Sequence, residues 1–200
     1  MAAFDADRYL VDQLVRPMVN LYRVTPLAAA GDEPAGPPAA YVRQKRMAIK
    51  EDVRFYADEA ETQELFRIKA RSVFDFGGAR YDVHAGGEHL GVLEHRFRAS
   101  LVRSTWTVRG PHEDVVLTAH ERSVPLAVAR RLVDFVPYGE WVPIPYNFDF
   151  VVDGRVVGSL NRKLQLRDRY VLDLSGDGEK RVDRRLAIAL AIGLDTLQNR

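Results

Sequence analysis

The stretch from Val182 to Gln198, VDRRLAIALAIGLDTLQ, restricts the possible folds of this chain more than any other part. Between Leu186 and Leu194 it has no polar side chain, so a helix here is apolar on every face. Such a helix belongs inside a large core or a membrane. The apolar run is far shorter than the roughly 20 residues needed to cross a bilayer. We therefore expect residues 182–198 to form a buried central helix.

The composition indicates an ordinary soluble domain. The chain has 200 residues, 46% of them hydrophobic, which suits a single domain spanning residues 1–200. Its net charge is +1, so no overall field attracts nucleic acid, and no nucleic-acid partner is expected. The absence of cysteine excludes disulfides and fits a reducing compartment. Aspartates at positions 5, 7 and 12 argue against a signal peptide, so a cytoplasmic location is expected, with peripheral attachment to a membrane as an option.

The patterns along the chain predict mostly strands. An N-terminal extension, residues 1–17, is predicted to contain a short helix over Asp7 to Arg16, which Pro17 ends. The Pro/Gly/Ala-rich residues 28–40 are predicted to be a flexible loop. Another helix, Val124 to Phe135, is expected in a connector formed by residues 124–145. The predicted strands are Met18 to Val24, Tyr41 to Ile49, Val53 to Tyr56, Glu64 to Arg71, Tyr81 to His84, Leu90 to Arg98, Thr105 to Arg109, Val115 to His120, Tyr146 to Val152, Val156 to Leu166 and Tyr170 to Leu174.

Two segments of the chain repeat one pattern. YDVHAGGEHLGVLEHRF, from Tyr81, aligns without gaps with FDFVVDGRVVGSLNRKL, from Phe148, at an offset of 67 residues. The middle of each copy has a dipeptide suited to a two-residue hairpin turn, Gly86-Gly87 in the first and Asp153-Gly154 in the second. The pattern therefore predicts two equivalent hairpins related by a pseudo-twofold axis.

A second glycine in each copy, Gly91 and Gly158, falls inside the returning strand, which predicts a bulge or a close backbone approach. A duplicated series of about a dozen strands can close into a barrel that has no free edges, and the apolar helix can fill it. We therefore predict a mainly β protein: a closed antiparallel barrel of roughly twelve strands, built from two similar halves around the C-terminal helix.

These residues resemble a known superfamily. The repeated glycine-containing hairpin, the stretches VRQKRMAIKEDVRFY, SLVRSTWTV and DRYVLDL, and the closing DRRLAIALAIGLDTLQ resemble the tubby C-terminal-like fold. The sequence is more specifically similar to its LURP-one-related and phospholipid-scramblase-like branch, in a bacterial-looking form, over about Met18 to Gln198. The resemblance implies a twelve-stranded barrel around a central C-terminal helix. Members with known roles bind phosphoinositide headgroups, lie at membranes or act in signalling.

One part of the scramblase pattern is missing. Scramblases are described with a calcium-binding acidic segment before the final helix. Here that segment is SGDGEKRVD, in which Asp177, Glu179 and Asp183 are interrupted by Lys180 and Arg181. It lacks the alternating oxygen ligands of a calcium loop, and there is no cysteine to carry palmitate. We therefore do not predict scramblase activity for this protein.

No catalytic motif is present, so we predict no catalytic residue, no cofactor and a non-enzymatic protein. His84 and His89 are expected to face each other across the Gly86-Gly87 turn. Two imidazoles are the beginning of a metal site, but no third ligand is evident. The favoured interpretation is a polar cross-strand pair, and no metal site is predicted.

Basic residues are the better functional lead. Alternation along a strand places Arg67, Lys69 and Arg71 on the face opposite to Phe66 and Ile68. Such a row matches the oxygens of phosphate headgroups. The alternative is the solvated outer surface of a barrel. Smaller basic groups are Arg43 with Lys45 and Arg46, Arg96 with Arg98, and Lys163 with Gln165 and Arg167.

The connector is rich in aromatic and basic residues. Arg130 and Arg131 lie close in sequence to Phe135, Tyr138 and Trp141, a mixture typical of a membrane interface or a partner groove. The alternative is a cover over the barrel mouth.

Together, these features predict a non-enzymatic binding module for anionic phospholipid headgroups at a membrane surface. A protein-interaction or regulatory scaffold is the second hypothesis. An enzyme with its active site at the barrel mouth is the third, and no motif supports it.

Overall fold

Alternating buried and exposed positions give the chain a regular series of strands. The structure is a computed structural model, and it describes residues 4–16, 19–45, 52–71, 79–95, 104–122, 147–163 and 169–197. Twelve strands and one helix lie within these residues. They are β1 (Arg8–Arg16), β2 (Val19–Pro26), β3 (Ala40–Lys45), β4 (Asp52–Tyr56), β5 (Glu64–Ala70), β6 (Ala79–Ala85), β7 (Glu88–His95), β8 (Thr105–Arg109), β9 (Val115–Glu121), β10 (Asn147–Val152), β11 (Arg155–Lys163), β12 (Arg169–Asp173) and helix α1 (Arg184–Thr196).

The strands close into a single ring. Each strand pairs antiparallel with the next in sequence, and β1 also pairs with β12. Closure gives every strand two partners, so no backbone edge of the ring is left unpaired. The prediction of a mainly β, twelve-stranded antiparallel barrel with a C-terminal helix is confirmed.

Helix α1 is buried on all sides, as predicted from its composition. Every residue from Leu186 to Leu194 is buried, and the helix shares one apolar core with the inward faces of the strands. At its beginning, Asp183 accepts a hydrogen bond from the Arg185 backbone N–H at 2.8 Å. Near its end, the Asp195 carboxylate accepts hydrogen bonds from the hydroxyl of Tyr22 on β2 and that of Tyr170 on β12. Both ends of the helix are therefore anchored by polar contacts.

The predicted N-terminal helix is wrong, because residues 8–16 form β1. Tyr9 and Val11 are buried, with 0% and 1% of their surfaces exposed. Leu10 and Asp12, which alternate with them, are only partly buried. This period of two is that of a strand with one buried face. The segment pairs with β2 and β12. It is thus the strand that closes the barrel rather than an extension outside it.

The Pro/Gly/Ala-rich segment is a loop as far as Ala39, and several hydrogen bonds tie it to the barrel; its flexibility stays a prediction. The Ala28 N–H donates to Glu33 O and the Ala35 N–H to Pro26 O, each at 2.9 Å. The Arg8 guanidinium also donates to the carbonyl of Ala28 at 3.0 Å. The predicted helix Val124 to Phe135 and its connector lie outside the described residues.

Both predicted hairpins are present, and both have a register shift at the equivalent place. The turns Gly86-Gly87 and Asp153-Gly154 connect β6 to β7 and β10 to β11. The register shifts directly after Val83 in the first hairpin and after Phe150 in the second. The residues that pair with these two are the glycines of the returning strands, Gly91 and Gly158.

Those two glycines allow a close backbone approach. A Cβ on Gly91 would lie 2.1 Å from the carbonyl oxygen of Arg109, and one on Gly158 would lie 2.3 Å from that of Asp173. Both distances are well inside van der Waals contact, so the neighbouring strand has to move if either residue gains a side chain. The prediction of bulges and close approach is confirmed.

The predicted pseudo-twofold relation between these hairpins is wrong. Strands β6 and β7 are four places away from β10 and β11 in the ring of twelve. A twofold along the barrel axis requires six places. The offset along the sequence shows that the hairpins match but contains no information about where they lie in the ring.

We predict that Ile192→Asp prevents folding. Ile192 is fully buried within helix α1, and an unpaired carboxylate in an apolar site costs several kcal/mol, a large share of a total stability of about 5–15 kcal/mol. Circular dichroism and thermal melting measure the effect. Val156→Asp is the control, because Val156 is 64% exposed and should accept the same change. A folded Ile192→Asp protein with native melting would contradict the buried position of the helix.

We also predict that Gly91→Ala lowers the melting temperature, at a cost of about 1–3 kcal/mol, because the new methyl group overlaps the Arg109 carbonyl. Gly87→Ala is the matched control, since a Cβ there meets no atom within 4 Å. Equal melting temperatures for the two variants would show that the β7–β8 contact is looser than described.

Candidate binding site

Three arginines lie side by side across the outer wall of the barrel. Arg43 on β3 is directly opposite Arg54 on β4, which is directly opposite Arg67 on β5. Side chains paired in this way have Cβ atoms about 4.5–5.5 Å apart. The strand neighbours of these arginines point into the core; examples are Val53 and Phe66, both at 0% exposure. We call Arg43, Arg54 and Arg67 the arginine row.

The row continues in both directions. On one side, Arg67 is opposite His84, and His84 is opposite His89. On the other side, Arg43 is opposite Leu21 on β2, and Leu21 is opposite Leu14 on β1. Neither leucine is fully buried. The row therefore has an imidazole end and an apolar end.

Each arginine of the row has a carboxylate partner. Arg43 Nη1 lies 2.8 Å from both carboxylate oxygens of Glu61. Arg54 Nη2 donates to Asp52 Oδ2 at 2.8 Å, and this hydrogen bond to Asp52 raises the pKa of Arg54 above its ordinary value. Like charges placed directly opposite each other destabilise a sheet, and these carboxylates offset that repulsion.

The third arginine is held more weakly. Arg67 Nε lies 3.6 Å from Glu64 Oε1, beyond hydrogen-bond distance. All three arginine side chains stay accessible, with 40%, 44% and 39% of the surface exposed in Arg43, Arg54 and Arg67. The guanidinium groups are thus available to a ligand.

A cavity of about 280 Å³ opens at one part of the row. Its lining residues are Arg43, Asp52, Arg54, Tyr56 and Glu61, and we call it the charged pocket. Arg43 Nε and Asp52 Oδ1 are buried atoms for which the described part of the chain supplies no hydrogen-bond partner. Buried polar atoms are nearly always paired, so these two are exceptions among the residues that line the pocket.

The loop between β4 and β5 holds Glu61 in place. Glu61 has a φ of 60°, a left-handed conformation that residues with a side chain rarely adopt. Asp58 fixes the loop by accepting hydrogen bonds from the Thr62 N–H at 3.2 Å and the Thr62 hydroxyl at 2.6 Å. Ala57 N–H also donates to Gln63 O at 2.9 Å. The strained residue is the one that presents its carboxylate to Arg43.

A comparison with family profiles agrees with this architecture. The profile of the LURP-one-related family matches residues 39–195, which is most of the chain. The chain belongs to the LURP-one-related family. This family is part of the tubby-like superfamily, whose members are generally non-catalytic. Comparison with curated proteins and with solved structures gives no match.

The matched residues begin just before β3 and end within α1. The arginine row and the charged pocket therefore lie inside the LURP-one-related part of the chain, whereas β1 and β2, which close the ring, precede it. None of the helices in the described residues is both long and apolar enough to cross a bilayer.

The basic row predicted along β5 is only partly available. Alternation places Arg67 and Lys69 on the outer face, as predicted. Arg71, just after the strand, is held by Asp82 at 2.9 Å and Glu113 at 3.0 Å. Lys69 lies in register between Asp52 on β4 and Asp82 on β6. In this LURP-one-related barrel the concentrated positive charge runs across the strands rather than along β5.

The other predicted contact residues fall outside the described residues. These are the basic pair Arg130 and Arg131 and the aromatic group Phe135, Tyr138 and Trp141. Arg46, Arg96, Arg98, Gln165 and Arg167 lie outside them too. Of the smaller basic groups, Arg43 belongs to the arginine row, and Lys163 pairs with Asp32 at 2.7 Å.

The sequence patterns did not point to four residues of the site: Arg54, Asp52, Tyr56 and Glu61. A signal for Arg54 was present, because it alternates with the apolar Val53 and Phe55 and therefore faces outward. Its position opposite Arg43 depends on the register of β3 and β4, which no local pattern reports.

The two histidines face each other across the hairpin, as predicted. Their ring centroids are 5.1 Å apart, and His89 Nε2 lies 3.2 Å from Asp82 Oδ1. Within the described residues, no group of three or more His, Cys, Asp or Glu side chains is arranged to hold a metal ion. The absence of a metal site stays a prediction for the whole chain.

The acidic segment before α1 has a structural role in this family member. Asp177 is buried. Its carboxylate accepts hydrogen bonds from the backbone N–H groups of Arg181 and Val182, both at 3.0 Å. It also accepts a hydrogen bond from Arg184 Nη1 at 2.6 Å. Burial opposes ionisation of Asp177, but these hydrogen bonds outweigh it and keep the pKa of the carboxyl below its usual value. Both oxygens are thus already used at the start of the helix.

We predict that Asp177→Asn destabilises the protein at pH 7, because it leaves the buried Arg184 without one of its charge partners, a loss of about 3–5 kcal/mol. The folded-state pKa of Asp177 is lowered, so its contribution is present above the unfolded value of 3.8 and is lost as pH falls below it. Melting curves at several pH values should therefore converge with those of the wild type in acid.

Asp153→Asn is the matched control for this experiment, because Asp153 also pairs with an arginine, Arg181, but is 75% exposed. Exposed pairs contribute little to stability, so this variant should melt like the wild type. If both variants behave alike, the Asp177 network does not anchor the helix.

Proposed function

We propose that this LURP-one-related protein is a non-catalytic binding module that attaches to membrane surfaces by holding the phosphate of an anionic phospholipid headgroup on the arginine row. The observation that carries the proposal is the direct opposition of Arg43, Arg54 and Arg67 on three adjacent strands. Arginine presents a planar fork of donors that fits phosphate oxygens in pairs.

The arrangement of charge supports an anionic ligand. Three cations at cross-strand spacing repel one another, and their carboxylate partners offset this only partly, since Arg67 lies 3.6 Å from Glu64. A phosphate bound between neighbouring guanidinium groups relieves the remaining repulsion. The open position of the row, with about four-tenths of each side chain exposed, leaves space for it.

The apolar end of the row favours a lipid over a soluble polyanion. Leu14 and Leu21 follow Arg43 in register, and both are partly exposed. A phospholipid joins a phosphate to an apolar body, so one molecule can meet the arginines and the leucines together. Membership of a tubby-like family is consistent with lipid binding.

The test is co-sedimentation with phosphatidylcholine vesicles that contain or lack an anionic phospholipid. Each basic residue near an anionic surface contributes about 1 kcal/mol. Changing Arg43, Arg54 and Arg67 together to Gln should therefore weaken binding on the order of 100-fold. Binding should also fall steeply as salt rises.

Arg122→Gln is the matched control, because Arg122 has the same 44% exposure as Arg54 and a similar aspartate partner, Asp149 at 2.6 Å, beyond the end of β9. It should bind vesicles like the wild type. If the wild-type protein does not bind anionic vesicles at low salt, the lipid proposal is rejected and a protein partner is favoured. A loss in Arg122→Gln about one third as large, in free energy, as the loss in the triple variant would show that general charge, rather than the row, causes binding.

A further inference from the structure

The charged pocket has a charge composition that a purely anionic ligand does not fit. Of its five lining residues, Arg43 and Arg54 are cationic and Asp52 and Glu61 are anionic. We infer that the ligand bound there is a phosphate ester that also carries a primary ammonium group. This inference rests on the proposed function and specifies the headgroup that the arginine row selects.

The anionic part of such a ligand has clear partners. Arg43 binds Glu61 through Nη1, and its Nε is buried without a hydrogen-bond partner in the described chain. Arg54 uses Nε and Nη2 for Asp52 and also interacts with the Tyr56 hydroxyl. The Nη1 of Arg54 is 3.7 Å from Glu64, beyond hydrogen-bond distance. Each guanidinium thus has a donor that no carboxylate takes up within hydrogen-bond distance. A phosphate is the group that accepts from both.

The cationic part has a partner as well. Asp52 accepts from Arg54 only through Oδ2, so Oδ1 is an unused acceptor, and it is buried. Leaving such an atom unpaired is unfavourable, and an ammonium donor recovers that loss. A ligand with several phosphates and no cation would instead bring negative charge against Asp52 and Glu61.

Glu61 places a negative charge at the pocket. Its backbone has a left-handed conformation in the β4–β5 loop, where Asp58 accepts two hydrogen bonds from Thr62. Both of its carboxylate oxygens lie 2.8 Å from Arg43 Nη1, so this negative charge faces the ligand together with the Arg43 guanidinium.

The size of the pocket limits the ligand to a headgroup. Its volume of about 280 Å³ is at the small end of ligand pockets, which span about 300–1,000 Å³. That space suits a phosphate with a short amino-alcohol substituent. An attached acyl chain has to remain outside, on the side where the row ends at Leu14 and Leu21.

The experiment compares two vesicle types of equal charge. Phosphatidylserine and phosphatidylglycerol each carry one net negative charge, but only phosphatidylserine has an ammonium group, together with a carboxylate. The Asp52 variant separates these two groups, because removing a negative charge from the pocket weakens only the contact with the ammonium. Wild-type protein should bind phosphatidylserine vesicles about tenfold more tightly, the effect of one charged hydrogen bond. In Asp52→Asn this preference should disappear while binding to phosphatidylglycerol is kept or increases, because Arg54 loses its partner.

Glu61→Gln is a second variant with the same expected loss of preference, and it guards against a folding defect in the first. Asp149→Asn is the matched control, since Asp149 also pairs with an exposed arginine but lies away from the pocket. It should keep the full preference. Melting curves of all variants establish that each is folded.

The outcomes separate this inference from the proposed function. Equal binding of the two vesicle types would overturn the inference and leave the proposed function in place, whereas no vesicle binding would overturn membrane attachment. Calorimetric titration with free O-phosphoserine distinguishes the source of the ligand. If the protein binds free O-phosphoserine but not vesicles, the ligand has the inferred chemistry and is a soluble molecule rather than a lipid. If the protein binds neither O-phosphoserine nor vesicles, the inference is rejected.

Discussion

The burial of helix α1 inside the ring of strands is the constraint on which the rest of this structure depends. A helix that is apolar on every face is stable only where no face meets water. Twelve strands with one apolar face each provide that environment when they close into a barrel. Once the inner faces are committed to the helix, all ligand recognition through the strand walls has to use the outer positions.

Polar contacts at both ends of the helix set its depth in the barrel. At its start, the buried Arg184 connects the buried Asp177 with Asp7, which is 47% exposed. Near its end, hydroxyls of two inward-facing tyrosines on the strands that flank β1, Tyr22 and Tyr170, donate to Asp195. The non-directional apolar contacts between these ends would permit sliding, whereas charged hydrogen bonds fix one position.

The outer wall illustrates how a site arises from register. Arg43, Arg54 and Arg67 belong to different predicted strands, and each alone is an ordinary outward residue. Antiparallel pairing of β3, β4 and β5 places them opposite one another, and the β4–β5 loop adds Glu61. The resulting surface combines guanidinium groups, carboxylates and an apolar end. Membership of the LURP-one-related family agrees with the barrel, and the charged pocket is the feature that suggests what this member binds.

The sequence alone determined the features that depend on local chemistry. The composition of residues 186–194 predicted a buried helix, and the glycine patterns at Gly91 and Gly158 predicted tight backbone contacts; both are confirmed. Tertiary structure decided what depends on distant partners. Residues 8–16 have apolar positions compatible with a helix, but pairing with β2 and β12 makes them a strand, since hydrogen bonds from two neighbours outweigh weak local preference. Strand register likewise placed the arginine row and separated the two hairpins by four places, because pairing across the sheet is a long-range interaction that no single segment encodes.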